Sequence, residues 1–304
     1  MNKTMYIPLL AMISTVFIWG LSFLSIKVTL GVFPPMTLAL IRFIFAVVFL
    51  FFMQKLDKES KGIDRKDIPV FIVAGLTGVT LYFMFENNAI NLISASAASI
   101  IVATLPIMTL LADTLIFRAA LGRNKILSVL LSVLGVYLVV GMDSSEFKAS
   151  GLGYLLMFGA NLVWIIYSYI TRALSQKYSQ ISIVYYQTLF GTVFLIPFIF
   201  FEKTNWSMVT VPIMLNVAFL GILCSAVAAY LYVISLDKLG VNVSSVFINL
   251  VPVVTVAASY FILKENVGWF QITGGLLVIA AVYIANLGYR DNGEVKEQNE
   301  GEAL

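Results

Sequence analysis

Ten apolar runs follow one another along this chain with little between them. They cover roughly residues 6–28, 35–54, 68–90, 94–117, 124–141, 151–173, 181–201, 211–235, 241–263 and 267–288. A helix crosses the hydrocarbon core of a bilayer with ~20 apolar residues, so each run is of spanning length. Charged residues make up 12% of the 304, against about 25% in a soluble domain, too few to cover such runs with polar surface. Lipid admits only structures that satisfy their own backbone hydrogen bonds. The expected fold is all-α and integral to the membrane, with ten transmembrane helices. The opening "MNKTMYIPLL" runs into the first span with no small-residue cleavage site before Lys27, and is read as a retained helix rather than a signal peptide.

Composition removes several chemistries. The chain has no histidine and one cysteine, Cys224, which leaves no zinc site, disulfide or histidine base. No metal or cofactor is expected, and a net charge of +3 gives no case for nucleic acid. Paired carboxylates at helical spacing and phosphate-binding loops are absent, so an enzyme is not expected.

Lysine and arginine set the orientation. With the amino terminus inside, 14 of them fall on the cytoplasmic side, including the five in Gln54–Asp67, and Lys27, Lys148, Lys203 and Lys264 fall outside. Arg42 lies within a span. Both termini are thus expected in the cytoplasm, with the chain multi-pass in the cytoplasmic membrane. The acidic tail at 289–304 is expected to be solvated and disordered.

Sliding the sequence by 146 residues aligns Gly75 with Gly221, Ser99 with Ser245, Pro106 with Pro252, Thr109 with Thr255 and Tyr137 with Tyr283, without a gap. The chain reads as two five-helix repeats, 1–145 and 146–288. Five is odd, so the second enters the membrane inverted. Inverted repeats suit a central site that opens first to one side and then to the other.

These segments resemble the drug/metabolite transporter superfamily, and within it the EamA-type carriers. The resemblance rests on "FIWGLSFLSIK", "ALIRFIFA", "SASAASIIVATLPIMTLLAD" and "VNVSSVFINLVPVVTVAASYFILKENVG", and covers nearly the whole chain. It implies ten helices, a central cavity between the repeats, and secondary transport of small metabolites such as amino acids, nucleobases or drugs. The family carries a glutamate after the fourth and ninth helices. Glu265 matches the second, while Ala119 stands at the first.

"LYFMFENNAINLISAS" places Glu86 beside apolar residues, at a depth similar to that of Arg42 on the second helix. A charge inside the bilayer costs at least ~2.5–3.5 kcal/mol at mid-helix. Two readings stay open: a structural Arg42–Glu86 ion pair, or a substrate or proton site. Pro106 and Pro252 each remove a backbone donor and are expected to kink their helices, freeing the carbonyls of Val102 and Ile248. Ser99 belongs to a small-residue stripe, and Asn249 is polar at mid-span. Trp19, Tyr82, Trp164 and Tyr230 lie deep enough to line a cavity, with Ser22, Tyr167, Ser168, Tyr185, Tyr186, Gln187 and Tyr232 near the same depth. The expected substrate-binding set is Trp19, Tyr82, Glu86, Ser99, Trp164, Tyr230 and Asn249. Aromatic walls with few charges suit an amphipathic molecule or an organic cation. The leading function is a secondary transporter in the bilayer, an exporter being one option, with proton or ion coupling and a monomeric or homodimeric state left open. A channel, or a non-transporting receptor or scaffold, is the alternative.

Overall fold

The computed structural model describes residues 3–57, 62–117, 123–140 and 144–284. The tail at 289–304, Ala119, and residues 58–61 of the charged loop lie outside the described residues. All regular structure among the described residues is helical. Eight helices are long and apolar enough to cross a membrane: α1 (Tyr6–Leu30), α2 (Pro35–Leu56), α3 (Arg65–Leu92), α4 (Ala95–Leu115), α6 (Gly151–Leu174), α7 (Gln180–Phe201), α8 (Val211–Val241) and α9 (Val243–Leu263). Two shorter apolar helices, α5 (Ile126–Leu138) and α10 (Trp269–Ile284), complete the series. Leu115, Phe200, Phe201 and Trp269 stand among many large apolar side chains exposed on the outer faces. In water this surface would drive aggregation, whereas in lipid it is solvated.

Packing follows the 146-residue register. α1 lies on α8 and α9, α6 lies on α3 and α4, and α2 meets α7 as α4 meets α9. The closest crossings are also matched. A Cβ on Gly75 would come within 2.7 Å of Gln187 O and Gly191 N on α7, and one on Gly221 within 2.5 Å of Arg42 O on α2. Glycine is needed at both, because a methyl group would prise the helices apart.

Both helices with a proline in mid-span, α4 with Pro106 and α9 with Pro252, break where expected. The regular turns of α4 stop at Val102 and resume at Leu105, and those of α9 stop at Ile248 and resume at Val251. Two features escape hydrophobic patterning. α3 and α8 each contain a π-helical stretch, Leu76–Leu81 and Phe219–Val227, which inserts extra residues per turn and rotates the faces beyond it. α8 also runs on past its expected end at 235, and the chain turns into α9 at Gly240, whose φ of +80° is open to glycine at little cost.

Candidate functional site

The π stretches and broken helices converge on a central cavity lined by residues of both halves. Much of the lining comes in register-matched pairs: Gly78 with Cys224, Val79 with Ser225, Phe83 with Ala229, Val102 with Ile248, and Leu105 with Val251. Each half thus offers its π turn and its helix break to the same space.

One wall is aromatic. Trp19 of α1 and Trp164 of α6 meet edge to face with centroids 5.4 Å apart. Tyr82 and Tyr167 each lie 4.8 Å from Trp164. Tyr232 backs this group at 5.2 Å from Trp19 and 5.3 Å from Trp164, with its hydroxyl 2.9 Å from Ser168 Oγ. Trp19 Nε1 donates to the Cys224 carbonyl at 3.1 Å, inside the α8 π turn. Such contacts add about 0.5–1.5 kcal/mol per pair beyond burial, enough to hold the rings in place along the cavity wall.

Polar groups enter from a few points. Tyr82 and Glu86 are one turn apart on α3, and the Tyr82 hydroxyl donates to the Glu86 carboxylate at 2.7 Å. Arg42 is 2% exposed. Its Nε donates to Ser225 Oγ at 3.0 Å, one Nη reaches the Leu220 carbonyl at 3.5 Å, and the guanidinium lies 4.4 Å from the Phe83 ring centroid. Its other terminal nitrogen, Nη1, is buried without a hydrogen-bond partner. Gln187 donates to Thr171 Oγ1 at 2.8 Å while its Oε1 is buried and unpartnered. Asn161 donates to the Ile101 carbonyl at 3.0 Å and to Thr104 Oγ1 at 3.2 Å, bracing the break in α4. An orphaned buried polar atom costs about 1–3 kcal/mol, so Arg42 Nη1, Trp164 Nε1 and Gln187 Oε1, all on residues lining one cavity, mark a place built to receive a polar ligand. Among the described residues no cluster could hold a metal ion.

Trp19, Tyr82, Glu86 and Trp164 all line the cavity. Three expected residues do not. Ser99 is buried in α4, its hydroxyl spent on the Ser96 carbonyl at 2.8 Å. Tyr230 packs with the aromatic cluster of α2 and α7, because the α8 π turn rotates the face and brings Tyr232 to the tryptophans instead. Asn249 sits buried in the α9 break with Oδ1 unpartnered, and its neighbours Ile248 and Val251 take the lining positions. The expected Arg42–Glu86 pair makes no direct contact within 4.0 Å. Both residues line the cavity, yet among the described residues the ion pairs within 4.0 Å are Arg172–Asp237, Lys177–Asp64, Lys177–Asp67 and Lys238–Asp237. Ser225, the Leu220 carbonyl and the Phe83 ring hold the guanidinium while its Nη1 stays unpartnered, and Tyr82 holds the carboxylate. Asn161 and Ser225 were not expected. The signal for Asn161 was its polarity in the middle of "FGANLVWII"; nothing in the sequence marks Ser225.

The EamA-like transporter family model matches the chain twice, over residues 6–141 and 151–287. An uncharacterized transporter of Archaeoglobus fulgidus is 30% identical over 280 residues, covering 89% of this chain and 94% of that protein. Uncharacterized transporter YyaM of Bacillus subtilis is 28% identical over 274 residues, covering 88% and 89%. A probable terminal-alkyne amino-acid exporter of Streptantibioticus cattleyicolor is 24% identical over 279 residues, covering 91% and 92%. One solved crystal structure shares the fold with a TM-score of 0.68 at 17% identity, over 93% of this chain and 97% of that one.

Proposed function

Because this chain belongs to the EamA-like transporter family, we propose that it is a secondary carrier moving a small, amino-acid-like zwitterion through the central cavity by alternating access. One observation carries the substrate class: Arg42 and Glu86 are buried, opposite in charge, line one cavity, and are not paired with each other. Arg42 Nη1 offers a donor to a carboxylate. Glu86 and Gln187 Oε1 offer acceptors to an ammonium. The ring group of Trp19, Tyr82 and Trp164 takes an apolar side chain. Two charges held apart in a dry site are costly unless a ligand spans them. The probable terminal-alkyne amino-acid exporter among the relatives supports both this class and the outward direction. The mirrored helix contacts and the odd number of expected spans per half support two inverted repeats at 1–145 and 146–288, and the lysine and arginine distribution supports cytoplasmic termini.

The test is counterflow in liposomes. Preloaded unlabelled amino acid should drive transient, saturable accumulation of the labelled form. Nucleobases and organic cations without a carboxylate should drive little. Counterflow by cations alone would overturn the zwitterion assignment, and a linear flux with no counterflow would point to a channel.

A further inference from the structure

Two carboxylates tie the second half of the chain to the first at one end of the cavity. Glu202 follows α7 directly. It accepts from the Met36 and Thr37 amides at 3.0 and 2.7 Å, and from Thr37 Oγ1 at 2.8 Å. Those are the first free donors of α2. Glu265 follows α9. It accepts from the Ala95 and Ser96 amides at 3.1 and 3.2 Å, and from Ser96 Oγ at 2.6 Å, at the start of α4. The opening turn of a helix has unsatisfied N–H groups and a partial positive charge, so an anion with three donors there makes a firm but separable joint.

The 146-residue register relates these joints to the opposite end. Position 56 matches Glu202, and Asp57 beside it, just after α2, accepts from Oγ of Ser179, the N-cap residue of α7, at 3.1 Å. The α2–α7 pair is thus clasped at both ends by an acid from the other helix. The position matching Glu265 is Ala119, which has no carboxylate to offer. At that same end Asp64 and Asp67 also tie the first half to Lys177 and Tyr178 of the second, so acids hold the two halves together at both ends.

We propose that Glu202 and Glu265 are gate latches. They hold their end of the cavity shut, and both must let go for that end to open. The proposal rests on the alternating-access reading above. Neither residue lines the cavity, so both act on the conformational step rather than on the ligand.

The chain supplies its own reporter. Cys224 is the single cysteine, is buried, and lines the cavity. A membrane-impermeant, positively charged methanethiosulfonate is applied to full-length protein in sealed vesicles of each orientation, and the labelling rate of Cys224 is read by mass. In wild type, reaction from both faces is expected. Reaction from one face only or from neither would overturn the alternating-access reading, and the latches with it. Given reaction from both, the double variant Glu202→Gln/Glu265→Gln should label about tenfold faster at the latched face, since neutral amides replace charge-assisted contacts. It should also label more slowly at the opposite face. Thr37→Ala/Ser96→Ala removes one donor from each latch with little change in helix structure, and should shift the ratio in the same direction by a smaller factor. Folding of each variant is checked by a monodisperse elution profile. An unchanged ratio of rates in both folded variants would overturn the latch while leaving the carrier reading intact.

Discussion

Replacing Glu86 with glutamine separates a carboxylate that serves a ligand from one that merely neutralises an arginine. Breaking a buried ion pair from one side costs about 3–5 kcal/mol, because the other charge is left bare. In this structure Arg42 leans on Ser225, the Leu220 carbonyl and the Phe83 ring, and the one hydrogen bond given to Glu86 comes from Tyr82. Glutamine keeps an oxygen for that hydroxyl, so the loss is the difference between a charge-assisted and a neutral hydrogen bond, about 1 kcal/mol. Relief from burying a charge offsets part of it. Stability of Glu86→Gln should therefore fall by less than about 1 kcal/mol, measured as thermal unfolding in detergent beside wild type. Transport should suffer far more. Losing one partner of a buried charge contact costs about 2 kcal/mol or more, which is about thirtyfold in apparent affinity. Counterflow against substrate concentration reads that number. A stability loss near that of a broken ion pair, with affinity unchanged in the surviving protein, would refute the reasoning and return Glu86 to a structural role.

Gly78→Ala should weaken substrate affinity, because the new Cβ would lie 2.2–2.8 Å from the Tyr167 ring; that ring is wedged against Trp164, so overpacking of about 1–3 kcal/mol pushes it toward the cavity, and a binding isotherm matching wild type would count against this. Asn161→Ala should cost only about 1 kcal/mol, since Thr104 Oγ1 still donates to the Ile101 carbonyl at 2.8 Å; a much larger drop in thermal stability would show that Asn161 carries the α4 break alone. In a Cys224→Ala background, Lys203→Cys should react with an impermeant thiol reagent on intact cells and Gly62→Cys, exposed with open space around it, should not; the reverse pattern would invert the proposed topology.

The helices were legible because lipid imposes a simple rule on sequence. An apolar run of fixed length must be a helix, and the described spans fall within a few residues of the expected ones, apart from the extension of α8. The breaks in α4 and α9 were legible because proline has no N–H to give. Trp19, Tyr82, Glu86 and Trp164 were found because deep aromatic or charged side chains are expensive to leave in hydrocarbon. The π turns were not legible, since one residue more per turn leaves no mark on composition. That is why Tyr230 was expected where Tyr232 packs. Ser99 and Asn249 share the same origin: depth was readable, but azimuth around the helix was not. Partner choice was the last gap, for a sequence shows that Arg42 needs company without showing that Ser225 and Phe83 provide it.

The unequal furnishing of the two halves has a consequence for the cargo. In the 146-residue register Arg42 faces Thr188, Tyr82 matches Ala228, and Glu86 matches Tyr232, so both cavity-lining charges belong to the first half. A perfectly doubled protein would accept its passenger head-first or tail-first with equal ease. Here the polar head has one berth. In the carrier proposed above, the cargo keeps its heading as the two halves trade shapes: it leaves the membrane facing the same half of the protein that it faced on entry, with no tumbling on the way.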